Sequence, residues 1–145
     1  MKILVTGGCG YKGHILIPKL LDKGYDVIAF DIQWFGNYLM PHKNLSVIKG
    51  DVRDTDSIPL DGVDCIIHLS SIANDPCSDL DPKLTWEISA LATMQLADKA
   101  RRGGIKRFTP SLLALSANCI VAKALISQVS LGSKSLHGSL AIDDR

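Results

Sequence analysis

Short runs of apolar and β-branched residues recur along the first 108 positions, and two longer stretches repeat apolar residues every three to four positions. Lys2–Thr6 is one such run and ends in glycines, the mark of a buried parallel strand. Asp26–Asp31 and Leu45–Lys49 predict a second and a third strand, residues 65–69 a fourth, and a fifth begins at residues 105–108. The first helical stretch spans residues 11–23, with Gly24 placed to stop it. Pro18 lies inside it, where the missing backbone N–H predicts a kink. The second stretch has Asp81 as its cap, Pro82 in its first turn and Gly103-Gly104 at its end. Leu84, Ile88, Leu91, Ala92 and Leu96 fall on one face of it. Strands alternating with helices through short connections predict an α/β fold, a parallel sheet covered on both faces.

The junction of the first strand and first helix carries the most specific chemistry. Thr6-Gly7-Gly8-Cys9-Gly10-Tyr11-Lys12-Gly13 spaces three glycines, Gly7, Gly10 and Gly13, three residues apart. The first permits a tight turn, the second lets backbone approach a pyrophosphate, and the third lets helix pack closely on strand. A merely tight turn would also collect glycines. Asp31, at the end of the second strand, supplies the complementary signal: a carboxylate there accepts hydrogen bonds from both hydroxyls of an adenosine ribose and repels a 2′-phosphate. The pair predicts NAD in preference to NADP, against the plainer reading of Asp31 as a solvated strand-end aspartate.

Composition narrows the class. The chain has 145 residues, 46% hydrophobic and 21% charged, with a formal net charge of +1. This mix excludes a disordered, collagen-like or coiled-coil protein and gives no basic surplus for nucleic acid or anionic membrane. No apolar stretch is long enough to span a bilayer, and the first strand runs into glycines too early for a secretory signal. Cys9, Cys65, Cys77 and Cys119 form no Cys-x-x-Cys pair, so a cytoplasmic protein without a metal site is expected.

Four motifs, in this order, resemble the N-terminal half of an extended short-chain dehydrogenase/reductase of the NAD-dependent epimerase/dehydratase family. They are the glycine segment 6–13, Asp31, Gly50-Asp51-Val52-Arg53-Asp54, and His68-Leu69-Ser70-Ser71. The resemblance implies a Rossmann-type doubly wound parallel sheet, incomplete in this chain, with an irregular or helical C-terminal tail. It implies a cofactor site of Gly7, Gly10, Tyr11, Lys12, Gly13, Asp31, Asp51, Val52, Leu69, Ser70 and Ser71. Asp51 would accept from the adenine amino group while Val52 packs on the ring edge; the alternative is that Asp51 and Asp54 cap the turn after the third strand. Leu69, Ser70 and Ser71 would line the cofactor between pyrophosphate and nicotinamide ribose. His68 is either a core histidine bonded to backbone or a catalytic group. Ser89 stands where the family often has asparagine, and Lys12 where an apolar residue is common. Trp34, Phe35 and Tyr38 either shield the adenosine side or pack in the core, and Asp75-Pro76-Cys77 would reach toward substrate. The implied partner is a nucleotide sugar, and family members often dimerise.

The family's acid–base is a tyrosine followed four positions later by a lysine, on the helix after the fifth strand. The lysine and the nicotinamide charge lower the phenol from its usual pKa of about 10. Here the tyrosines are Tyr11, Tyr25 and Tyr38, and none has that lysine. The chain also changes character at Phe108: all eight aromatic residues precede position 109, and seven of the thirteen serines follow it. Residues 1–108 therefore read as a partial NAD-binding domain and 109–145 as a divergent tail. Thr109-Pro110-Ser111-Leu112-Leu113-Ala114-Leu115 matches a one-base-shifted reading of the family's Tyr-Ala-Ser-Ser-Cys-Ser-Val, apart from the added Ser111. An out-of-frame tail and a genuine divergent, helical cap over 112–131 both stand as expectations. No catalytic residue is assigned. The functional expectation is the NAD-binding part of a nucleotide-sugar epimerase/dehydratase-like protein, inactive alone. The alternatives are a non-catalytic NAD-binding module or sensor, or a truncated or frameshifted product.

Overall fold

The computed structural model describes residues 1–72 and 80–110. The reading of Asp75-Pro76-Cys77 and that of the tail beyond Pro110 lie outside the described residues. Within them the order is β1 (Lys2–Thr6), α1 (Tyr11–Asp22), β2 (Asp26–Asp31), β3 (Leu45–Lys49), a 3-10 turn at Thr55–Ser57 and β4 (Cys65–His68). A helical run follows, made of α2 (Pro82–Trp86), a π segment (Glu87–Leu91) and α3 (Ala92–Arg102), and then β5 (Arg107–Pro110). The five strands form one sheet in the order β3-β2-β1-β4-β5, every pair parallel.

Alternation along the strands divides the core into two layers, because successive side chains leave a strand on opposite faces. Leu4, Ile28, Phe30 and Ile66 point to one face and pack with Leu96, Ala97 and Ala100 of α3. Ile3, Val5, Val27 and Ala29 point to the other, where Ile17 of α1 and Leu39 of the β2–β3 loop cover them. Helices on both faces of a parallel sheet complete the doubly wound arrangement. The chain winds outward from β1 to β2 and β3, then returns to place β4 on the other side of β1. The C-terminal ends of β1 and β4 therefore flank the point where the winding direction reverses, the position at which such sheets open a crevice.

Each boundary has a local cause. α1 starts at Tyr11 after an extended Gly10, runs through Pro18 unbroken, and ends at Asp22. Gly24, in the left-handed region at φ +78°, then turns the chain into β2. Asp81 caps α2 by accepting from the Leu84 N–H at 2.9 Å. The single regular helix expected from Asp81 to Gly103 is interrupted: over Glu87–Leu91 the hydrogen bonds widen by one residue, so that Ala92 N–H reaches the Glu87 carbonyl. The wide turn buries Ser89 as well as Ile88 and Ala90, placing a polar residue on a face read as apolar. β5 starts two residues later than expected and continues through Pro110, which stands opposite His68. It is the outermost strand of the described sheet, where a missing N–H is tolerated.

Gly13 holds a very close contact with backbone. A Cβ at that position would sit 2.3 Å from the Gly8 carbonyl oxygen, so α1 meets its own preceding loop at a distance only glycine permits. Gly13→Ala is expected to destabilise the chain by about 1–3 kcal/mol through overpacking against rigid backbone, whereas Lys12→Ala, at an exposed position, changes stability by less than about 0.5 kcal/mol. Urea denaturation of the two variants beside the parent checks this, and equal midpoints would refute the contact.

Candidate functional site

The cleft at the ends of β1, β2 and β4 encloses about 730 Å³ of empty space, open water at its mouth included. The glycine loop forms one wall. Gly7 N–H donates to the Phe30 carbonyl at 2.8 Å, and Gly10 N–H to the Gly7 carbonyl at 3.1 Å. Gly7 lies at φ +68°, and a Cβ on it would meet the Ser70 nitrogen at 2.7 Å. The loop from β1 thus lies against the loop from β4, leaving no room for a side chain. Gly10, at the start of α1, has no side-chain cap, and no acidic residue occupies the first turn. The free N–H groups of that turn keep their partial positive charge for an anion.

Asp31 closes the second wall. Its Oδ2 accepts from Cys9 N–H at 3.0 Å and its Oδ1 from Gln33 N–H at 2.6 Å. One carboxylate thereby ties the glycine loop to the loop after β2 and keeps about two of its four lone-pair sites for a ligand. Burial pushes the Cys9 thiol up to about 11, with the Asp31 charge adding to the effect, so Cys9 is a neutral thiol. Its Sγ lies 3.7 Å from Asn37 Oδ1, and Asn37 Oδ1 also accepts from Leu39 N–H at 3.0 Å.

Asp51 and Val52 form the floor opposite. Asp51 accepts from the Arg53 backbone at 2.9 Å and from the Arg53 guanidinium at 2.6 Å, and these bonds hold its carboxyl below the usual carboxylate value. Arg53 also reaches Glu87 of the π segment at 3.5 Å. Asp51 caps the turn after β3, since Asp54 N–H also donates to its carbonyl at 3.1 Å, and it lines the cleft as well. The capping reading of Asp51 holds, and the residue faces the cleft from that turn. Asp54 makes no side-chain cap.

Comparison with known proteins decides the lineage. The model of the NAD dependent epimerase/dehydratase family matches residues 3–136. The chain belongs to this family. It is 32% identical over 113 residues to a 3 beta-hydroxysteroid dehydrogenase/Delta 5-->4-isomerase of Mycobacterium tuberculosis, a match covering 74% of this chain and 30% of that protein. Among solved structures it resembles UDP-glucose 4-epimerase of Thermotoga maritima with UDP-glucose, at TM-score 0.69 and 26% identity over 76% of this chain and 37% of the other. It also resembles a Thermus thermophilus UDP-glucose 4-epimerase in complex with NAD, at TM-score 0.67 and 26% identity over 74% of this chain and 36% of the other. The chain therefore spans about a third of the length of these relatives.

Of the epimerase/dehydratase positions picked out above, the structure brings Gly7, Gly10, Asp31, Asp51, Val52, Leu69, Ser70 and Ser71 around one cleft. Tyr11 and Lys12 are exposed at the start of α1 and do not line it, and Gly13 is buried beneath the loop. Sequence reading missed Cys9, Ile32, Gly36, Gly50, Ile72 and Ile88 as lining residues. Ile88 lies in the π segment, and Ile72 donates its N–H to Ser89 of that segment. Trp34, Phe35 and Tyr38 are exposed, so the core-packing alternative is corrected, and the first two line the cleft. Among the described residues no group of three His, Cys, Asp or Glu could hold a metal, and no helix is long and apolar enough to cross a membrane.

His68 is a fully buried core residue, but its partners are hydroxyls and not the expected backbone. Nδ1 lies 2.6 Å from Thr6 Oγ1, and Nε2 lies 2.9 Å from Thr93 Oγ1. Thr93 gives its own proton to the Ser89 carbonyl at 2.8 Å, so it accepts from His68, which must carry its hydrogen on Nε2. Thr6 then donates to Nδ1. Ser89, in the asparagine position, takes the Ile72 N–H at 3.2 Å. The network joins β1, β4 and the π segment to the loop that bears Ser70 and Ser71.

Burial lowers the His68 pKa from 6.5 to about 4. The unfolded chain then binds the extra proton first. Stability is full above about pH 6.5 and falls as the pH drops toward 4, by about 3 kcal/mol in total. Urea unfolding between pH 7 and pH 5 should show this slope, and His68→Gln should flatten it. An identical slope in the variant would assign it to other groups.

Proposed function

We propose that the described residues form the NAD-binding part of a nucleotide-sugar epimerase/dehydratase-like protein, and that these 145 residues bind NAD without turning substrate over. The reading rests on the cleft itself, whose residues fit the dinucleotide in three respects. Gly10 presents bare backbone at an uncapped helix start, where a pyrophosphate would take N–H groups. Asp31 faces the cleft with acceptor sites left for two ribose hydroxyls. Leu69, Ser70 and Ser71 line the stretch beyond Gly7 with one apolar and two hydroxyl side chains. When bound, NAD supplies a nicotinamide that accepts or returns a hydride at a sugar carbon. This chain's part is to orient the dinucleotide and exclude the 2′-phosphate form.

The single observation that carries the reading is the position of Asp31, between the glycine loop and the loop after β2 with its charge toward the cleft. The sugar assignment follows solved relatives that contain UDP-glucose or bear the epimerase name. The expectation of no turnover rests on Tyr11, Tyr25 and Tyr38, which lack a lysine four positions on. A homodimer and the origin of residues 109–145 stay with this proposal as parts of the same family reading.

Calorimetric titration tests it. The chain should bind NAD at least about 10-fold more tightly than NADP, because the 2′-phosphate would stand beside the Asp31 carboxylate. Asp31→Ala should weaken NAD by about 10-fold, the scale of losing charge-assisted hydrogen bonds, and bring the two affinities together. Since Asp31 also holds Cys9 and Gln33, the ratio of the two cofactors is the informative readout. A ratio that survives the substitution would reassign ribose recognition. Turnover of a nucleotide sugar by the 145 residues would refute the expectation of inactivity.

A further inference from the structure

Arg53 does not line the cleft, yet its contacts converge on a residue that does. Its backbone N–H donates to Asp51 Oδ1 at 2.9 Å, and its Nη2 donates to Oδ2 at 2.6 Å. The single Nε–H is shared, 2.9 Å from Oδ2 and 3.2 Å from Oδ1. A carboxylate offers about four acceptor sites, so these three N–H groups leave one open. Because Nε lies nearer Oδ2, the open site falls on Oδ1.

The guanidinium is a rigid planar fork, and contact through both Nε and Nη2 sets the plane of the carboxylate as well as its place. The far end of the fork is held too. Arg53 Nη1 lies 3.5 Å from Glu87 Oε2, and Lys83 Nζ stands 3.8 Å from the other oxygen of Glu87. The side chains of Arg53 and Asp51 are 40% and 27% exposed, so the pair adds little to stability. Its consequence is orientation. The Arg53 hydrogen bonds also hold the Asp51 carboxyl below the usual carboxylate value, and an ionised carboxylate can only accept. What Asp51 takes from the cleft is therefore a donor. With the ribose hydroxyls at Asp31, the donor left for it in the adenosine half is the amino group of the base.

We propose that Arg53 is a positioning residue of the dinucleotide site: its fork fixes the Asp51 carboxylate so that one acceptor site stays turned to the amino edge of the base. The inference rests on the NAD reading and adds to it a residue that acts only through another.

Calorimetric titration of the full chain with NAD and with nicotinamide hypoxanthine dinucleotide tests this, since hypoxanthine carries a carbonyl oxygen in place of the amino group. The parent should prefer NAD by about 10-fold, the scale of one hydrogen bond to a charged acceptor. Arg53→Ala and Arg53→Lys should each reduce that preference to about 3-fold or less. The lysine variant fails because an ammonium keeps the charge without the fork. In both variants the NAD-to-NADP ratio, read at Asp31, should stay within about 2-fold of the parent's, because the two carboxylates share no partner. A role in folding alone would weaken all three dinucleotides together and leave the hypoxanthine ratio unchanged, and that result would overturn the proposal. Full preference in Arg53→Lys would overturn it by assigning the effect to charge. A preference that rises in Arg53→Ala would overturn it by making Arg53 a competitor for Asp51. If the parent binds NAD and the hypoxanthine analogue equally, Arg53 positions nothing for the base and the NAD site stands. If the parent binds neither, the NAD reading falls as well.

Discussion

The carboxylate of Asp31 is the joint on which the cleft depends. Two backbone N–H groups from different loops, those of Cys9 and Gln33, converge on its two oxygens. The glycine loop has few side chains to pack, because Cβ atoms at Gly7 and Gly13 would collide with backbone. It therefore needs polar fasteners, and hydrogen bonds to a charged acceptor are the strong kind available. The same bonds fix the turn that carries Trp34 and Phe35. A single residue at the end of β2 so holds the glycine loop and the turn with Trp34 and Phe35 together.

A second polar structure supports the far side. His68, Thr6, Thr93 and Ser89 are all buried between the sheet and the helical run. Buried polar groups are tolerated only when paired, and here the donors and acceptors close in one direction, from Thr6 through the imidazole to Thr93 and the Ser89 carbonyl. Ser89, buried in the π segment, takes the Ile72 N–H, and Ile88 and Ile72 line the cleft. His68 also stacks on Phe108 of β5 at a ring separation of 6.0 Å, so the network is tied to the last described strand.

Arg53 shows how a side chain next to a site residue can engage it. In the sequence Gly50-Asp51-Val52-Arg53-Asp54, Asp51 reads as a free acceptor for a base. In the fold, the side chain two residues on reaches back over it and also pairs with Glu87, which belongs to a distant helix in the sequence. The pair is half-exposed and contributes modestly to stability. Its effect is on Asp51, whose carboxyl the Arg53 hydrogen bonds hold below the usual carboxylate value.

The sequence alone determined the alternation of strands and helices, the parallel doubly wound sheet, the glycine loop and Asp31. These depend on short-range rules: side-chain period, the conformational freedom of glycine, and the charge of one residue at a strand end. Tertiary structure alone decided the π segment, the partners of His68, the exposure of Trp34 and Phe35, and the capture of Asp51 by Arg53. Each of those depends on residues that are brought together by the fold across sequence separations no local pattern records, such as His68 with Thr93 or Arg53 with Glu87. Whether a polar side chain is free or engaged is a property of its neighbours in space.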